Sequence, residues 1–124
     1  MIQFFEERNP GTSALPRSVA TKAGGFVFVG GQIGRDDNGD LILGGIEAQT
    51  RGTMKNVVQA LALAGCTLDD VVKTMVWLDD ARDFDAFNRV YVEFFPGNKP
   101  TRSTMQERNM AGTKVEIEVI AYRP

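Results

Sequence analysis

Apolar positions along the chain change their spacing several times, and each change marks an element. A short apolar run over residues 2–5 predicts a strand, and residues 9–16, rich in Asn, Pro, Gly and Ser, form a loop of turn formers. Residues 18–22 lead through Gly24-Gly25 into Phe26-Val27-Phe28-Val29, which predicts a hairpin. Gly30-Gly31 at the end of that strand allows unusual backbone angles or a close approach, and Asp37-Asn38-Gly39 is a turn before residues 41–43. Over residues 46–64, Met54, Val57, Val58, Leu61 and Ala64 repeat at steps of three and four, with Gly65 where a helix-ending glycine belongs.

Residues 70–78 (DVVKTMVWL) are rich in β-branched and aromatic types and predict a strand. Asp83 is an N-cap candidate for a second helix, whose Phe84, Phe87, Tyr91, Phe94 and Phe95 form an aromatic stripe before Pro96-Gly97. Residues 101–106 and 113–122 read as two closing strands joined as a hairpin. Two one-faced helices and about six strands predict an α+β domain: a mixed six-stranded sheet with both helices on one face.

The last strand sharpens this picture. Val115, Ile117, Val119 and Ala121 point one way, and Lys114, Glu116, Glu118, Ile120 and Tyr122 the other. With the first set under the helices, the second lines an uncovered face of mixed charge, Ile and Tyr. Such a face suits a subunit interface with polar pockets, so a homo-oligomer is expected.

Composition narrows the chemistry. The 124 residues suit one domain, 1–124, with an ordinary apolar share of 43%. A net charge of -2 gives no footprint for nucleic acid, and neither a spanning segment nor a signal peptide is visible, so no nucleic acid or membrane partner is expected. Cys66, the single cysteine, excludes an internal disulfide and agrees with a cytoplasmic setting; it is assigned no role. The chain contains no histidine, which removes the commonest neutral-pH base and the commonest metal ligand. Carboxylates, arginine, hydroxyls, backbone N–H groups and water remain.

Arg102, two residues after Pro100, is suited to hold a small carboxylate through its planar guanidinium, or it pairs with Glu116 or Glu118 across the hairpin. Glu116 and Glu118 share one face; if partly buried, one is pushed toward a neutral-range pKa and can exchange protons, and otherwise they form a solvated strand face. The N–H groups of Gly30-Gly31-Gln32 suit an oxyanion or a plain turn, and Asn88 is a solvated helix residue or a ligand contact.

Taken in order, GGQI at residues 30–33, Met54-Lys55-Asn56-Val57 before Ala64-Gly65, DVVKTMVWLDD, DFDAFNRVYVEFF and above all P-T-R-S with V-E-I-E after it resemble the RidA/YjgF family of enamine and imine deaminases. The resemblance covers nearly the whole chain. It implies a chorismate-mutase-like fold and a homotrimer with sites in the clefts between subunits. It further implies hydrolysis of 2-aminoacrylate-like enamines and imines to 2-keto acids and ammonia, without a cofactor or metal. In that scheme Arg102 binds the substrate carboxylate, the backbone at Gly31 and Thr104 lines the pocket, Asn88 contacts the ligand and Glu116 positions water.

The sequence departs from the family pattern in three places. Leu15-Pro16-Arg17-Ser18 stands for Gly-Pro-Tyr-Ser, Thr104 stands for the cysteine common after Arg-Ser, and the turn between Met110 and Val115 is about one residue shorter. With Arg17 near Arg102, a dianionic or larger acidic substrate is expected. Two alternatives are an aminomuconate-type deaminase working on a larger diacid and a non-catalytic trimer that binds small carboxylates.

Overall fold

A computed structural model describes residues 1–6 and 15–124. Most of the loop expected over 9–16 therefore lies outside the described residues. Strands β1 (Ile2–Phe5), β2 (Ala20–Ala23) and β3 (Phe26–Gln32) precede helix α1 (Ile46–Leu63). Then follow β4 (Val71–Leu78), helix α2 (Phe84–Phe94), β5 (Thr101–Gln106) and β6 (Val115–Tyr122). The six strands form one sheet in the order β1-β2-β3-β6-β4-β5, with both helices on one face, as the periodicities predict.

The closing hairpin is not formed. β5 and β6 are separated by β4, to which β5 is parallel and β6 antiparallel. Helix α2 joins β4 to β5, and a helical crossover is what lets consecutive strands lie parallel. β6 then returns through the turn at 107–114 to the other side of β4. β5 is left as an edge strand.

The core forms where the two periodicities meet. Val27, Val29, Val76, Leu78, Val115, Ile117, Val119 and Ala121 of the sheet are buried against Met54, Val57 and Leu61 of α1 and Phe87 of α2. Each such side chain contributes roughly 1.5–3 kcal/mol on burial, before chain entropy is charged against it. α1 ends at Ala64; Gly65 has φ +76°, and the N–H groups of Gly65 and Cys66 return to the carbonyls of Ala62 and Leu61, which closes the last turn. α2 begins at Phe84, but the Asp83 side chain makes no cap bond; Asp80 instead accepts from the Arg82 N–H in the 3-10 turn just before it.

Tyr91 ties α2 to the sheet. Its hydroxyl lies 2.8 Å from Oγ1 of Thr74, and both residues are buried. Tyr91→Phe is expected to cost about 1–2 kcal/mol in urea denaturation, because the Thr74 hydroxyl loses its partner in a dry setting. A loss under a few tenths would mean that water reaches Thr74.

Glycines 30 and 31 do not end β3, as the sequence suggests, but sit inside it. The pairing to β6 shifts between Val29↔Val119 and Gln32↔Ile117, so two residues on β3, Gly30 and Gly31, lie opposite one on β6, Glu118. The glycines occupy this bulge, a device that re-aims side chains beside a site.

Among the described residues, no helix covers the opposite face of the sheet. Ile2, Phe4, Phe26, Phe28, Met105 and Tyr122 are each 37–67% exposed, an unusual run of large apolar side chains for a surface left to water. No helix among the described residues is long and apolar enough to cross a membrane.

Candidate functional site

Arg102 lies opposite Thr74 on β4, and Thr74 points under α2. Residues in register share a face, so Arg102 also rises on the helix side of the sheet. Its guanidinium carbon is 4.8 Å from the ring centre of Tyr91, 5.5 Å from Phe87 and 5.6 Å from Phe84. The aromatic stripe therefore has two uses: one edge packs into the core and the other holds the arginine by cation–π contact. Arg102 makes no ion pair with a described residue, so the pairing with Glu116 or Glu118 considered above does not occur. Burial pushes the Tyr91 phenol up, while the Thr74 hydrogen bond and the Arg102 charge pull it back.

Asn88, one turn before Tyr91, shares a cavity of about 420 Å³ with Arg102, walled by Tyr91, Val92, Phe95, Lys99 and Pro100. Oδ1 of Asn88 is buried with no hydrogen-bond partner among the described residues. A buried acceptor in that state is costly, and a donor on a bound molecule relieves it. Thr104 is two residues beyond Arg102 on the same face, half-buried and opposite Val76. One row of backbone groups along β5 has no strand beside it.

Glu116 is on the other side. It pairs in register with Trp77, and Glu118 with Met75, while Ile117 between them is in the core. The Glu116 carboxylate rests against Gly31: a Cβ built on Gly31 would fall on its Oε2. The bulge and the missing side chain together make the seat for this carboxylate. The N–H of Gly30 is already given to the Val19 carbonyl, 3.0 Å away, so the expected row of free N–H groups is shorter than the sequence suggests. Partial burial raises the Glu116 pKa above its ordinary value; the Glu118 charge adds to the rise and Arg17 opposes it. Arg17 thus acts on Glu116, whereas Arg102 acts on Tyr91.

The shortened turn before Glu116 is well made. Oδ1 of Asn109 accepts from the N–H groups of Ala111 and Thr113, and Gly112 takes φ +70°. Strand β6 enters with Val115 fully buried, which fixes Glu116 on the opposite face.

One chain therefore carries two clusters of candidate residues on opposite faces of the sheet. Arg102, Asn88 and Thr104 gather at the β5 edge on the helix side. Glu116, Gly31 and Arg17 gather on the uncovered face. Sequence reasoning missed the aromatic cradle of Arg102 and the cavity cation Lys99. The i, i+3, i+7 spacing of Phe84, Phe87 and Tyr91 was the available signal for the first; Lys99 stands in a loop with no periodicity to mark it.

Known proteins resemble this chain over most of its length. The family described as endoribonuclease L-PSP matches residues 9–123. A RutC family protein of Pyrococcus horikoshii is 42% identical over 110 residues, 87% of each chain. The 2-iminobutanoate/2-iminopropanoate deaminase of Homo sapiens is 36% identical over 87% of this chain and 80% of its own. The crystal structure of E. coli TdcF with bound serine superposes with a TM-score of 0.89 at 33% identity, covering 98% of this chain and 99% of that one.

Proposed function

The chain belongs to the endoribonuclease L-PSP family, the RidA/YjgF group that its sequence resembles, and from that premise we propose that it hydrolyses imines of small 2-keto acids, and the enamines that tautomerise to them, to the keto acid and ammonia. The observation that carries the reading is the pairing of a cavity that holds Arg102, with no acid among its described lining residues, with a half-buried carboxylate of raised pKa at Glu116. The human relative named for this reaction supports it.

Arg102 holds the substrate carboxylate through two parallel hydrogen bonds, steered by the three rings beneath it. The unpartnered Oδ1 of Asn88 accepts from the substrate nitrogen, and the N–H row of β5 at Thr104 supplies further donors. Glu116, as carboxylate, takes a proton from water while the oxygen attacks the imine carbon. It returns that proton to the imine nitrogen to give a carbinolamine, then takes the hydroxyl proton and passes it to the amino nitrogen as the carbon–nitrogen bond breaks, which releases ammonia and leaves the keto oxygen. No histidine is needed.

Because Arg102 and Glu116 rise from opposite faces of one sheet, a site holding both requires a second copy of the chain. We propose a homotrimer in which the β5 edge of one subunit meets the uncovered face of its neighbour, with the exposed apolar side chains buried between them. The non-catalytic alternative keeps the carboxylate pocket without the water chemistry.

The test is an amino-acid oxidase that releases imines, with ammonia formation followed in the presence and absence of the protein. Acceleration is expected. Retained 2-keto acid binding without acceleration would leave only the binding role. In the same assay Gly31→Ala is expected to lower kcat/KM by about 10–50-fold, since the new methyl displaces the Glu116 carboxylate and small misplacements of a reacting group are expensive. Gly30→Ala meets only ordinary contacts at 3.6–3.7 Å and is the steric control.

A further inference from the structure

Resting on that reading, we infer that Lys99 is a second anion-binding position in the Arg102 cavity, so that the preferred substrates are imines of 2-keto dicarboxylic acids. Among the described residues the cavity is lined by two cations and no acid: Asn88, Tyr91, Val92, Phe95, Lys99, Pro100 and Arg102. Neither cation has an ion pair with a described residue. Glu93, next to the lining residue Val92 in sequence, is paired with Arg51 at 2.9 Å. A chain of net charge -2 therefore keeps a local cavity of opposite sign, and apolar walls strengthen the field inside it.

The two cations divide the work. Arg102 is fixed over its rings and suits the carboxylate beside the reacting carbon, where geometry decides the rate. Lys99 leaves the backbone three residues earlier, just before Pro100 restrains the chain, and its Nζ is held 3.0 Å from the Gly97 carbonyl. A carbonyl satisfies one of three ammonium donors and leaves two for a carboxylate. A single small carboxylate would engage only Arg102. A substrate with a second carboxylate two or three carbons away neutralises both charges, with Val92 and Phe95 against its methylenes. Arg17 does not supply this second charge within the chain, because its field falls on Glu116.

Isothermal titration of 2-oxoglutarate and of 2-oxopentanoate, equal in carbon number and different in the distal carboxylate, reads this directly. In low salt 2-oxoglutarate is expected to bind about tenfold more tightly, and the preference should shrink as salt rises. Lys99→Met should bring the ratio near one, and Lys99→Arg should restore it. A wild-type ratio near one, or a ratio that Lys99→Met does not move, overturns the assignment while leaving the deaminase reading intact. Failure of both acids to bind, with no acceleration of imine hydrolysis, overturns the reading and this inference with it.

Discussion

Arg102→Ala is expected to lower kcat/KM for imine hydrolysis by about 10²–10³-fold, roughly 2.7–4.1 kcal/mol and within the range for removing one partner of a desolvated charge pair. The basis is the setting of the guanidinium. It has no carboxylate of its own among the described residues and lies within 5.6 Å of three ring centres, so its hydrogen-bonding edge is free for a ligand. Because the substrate carboxylate is present before and during attack, most of the loss should appear in KM, and 2-keto acid binding should weaken in parallel. Arg102→Lys recovers only part, since an ammonium cannot reproduce two parallel bonds or stack in the same way. Stability should change by about 1 kcal/mol at most, the scale of a partly exposed cation–π contact. Wild-type-like kinetics in Arg102→Ala would move the carboxylate site elsewhere, and a large drop in melting temperature would make the arginine structural.

The elements and their faces were legible because burial follows local periodicity. The steps of three and four from Met54 to Ala64 describe the buried side of α1, and alternation along β6 separates Glu116 from Val115 and Ile117. Strand pairing was less legible. Proximity in sequence favoured a β5–β6 hairpin, yet the strand–helix–strand order from β4 through α2 to β5 is the signature of a parallel crossover. Giving that order its weight would have put β4 between the last two strands and Arg102 on the helix side. The bulge at Gly30-Gly31 is a tertiary outcome: whether paired glycines end a strand or widen it depends on what β6 offers opposite them. Arg17 and Lys99 illustrate a different limit. Both are loop cations, and only the folded chain distinguishes the one facing Glu116 from the one facing the Arg102 cavity.

Glu116→Gln should abolish most turnover, by about 10²–10³-fold in kcat, the range for loss of a positioned acid–base group, while leaving keto acid binding to Arg102 in place. The pH dependence gives the sharper form of this expectation. If Glu116 acts as the carboxylate, as proposed, activity should fall on the acid side as Glu116 is protonated, at a pH above the ordinary range for glutamate because burial and Glu118 raise its pKa. Glu118→Gln removes a like charge and should move that limb to lower pH; Arg17→Ala removes an opposite charge and should move it higher. Stability runs the other way from activity. A carboxyl whose folded pKa exceeds its unfolded value stabilises the fold below the unfolded value, and that contribution is lost as pH rises through the folded one. Charged Glu116 therefore costs stability at neutral pH, and Glu116→Gln should melt no lower than wild type there. A variant that is inactive yet no less stable separates a chemical role from a structural one. Mixed with Arg102→Ala in refolded trimers, it should regain about a quarter of the wild-type sites if each site takes Arg102 from one subunit and Glu116 from the next. No regain would put both groups in the same subunit's site, against the opposite faces on which β5 and β6 carry them.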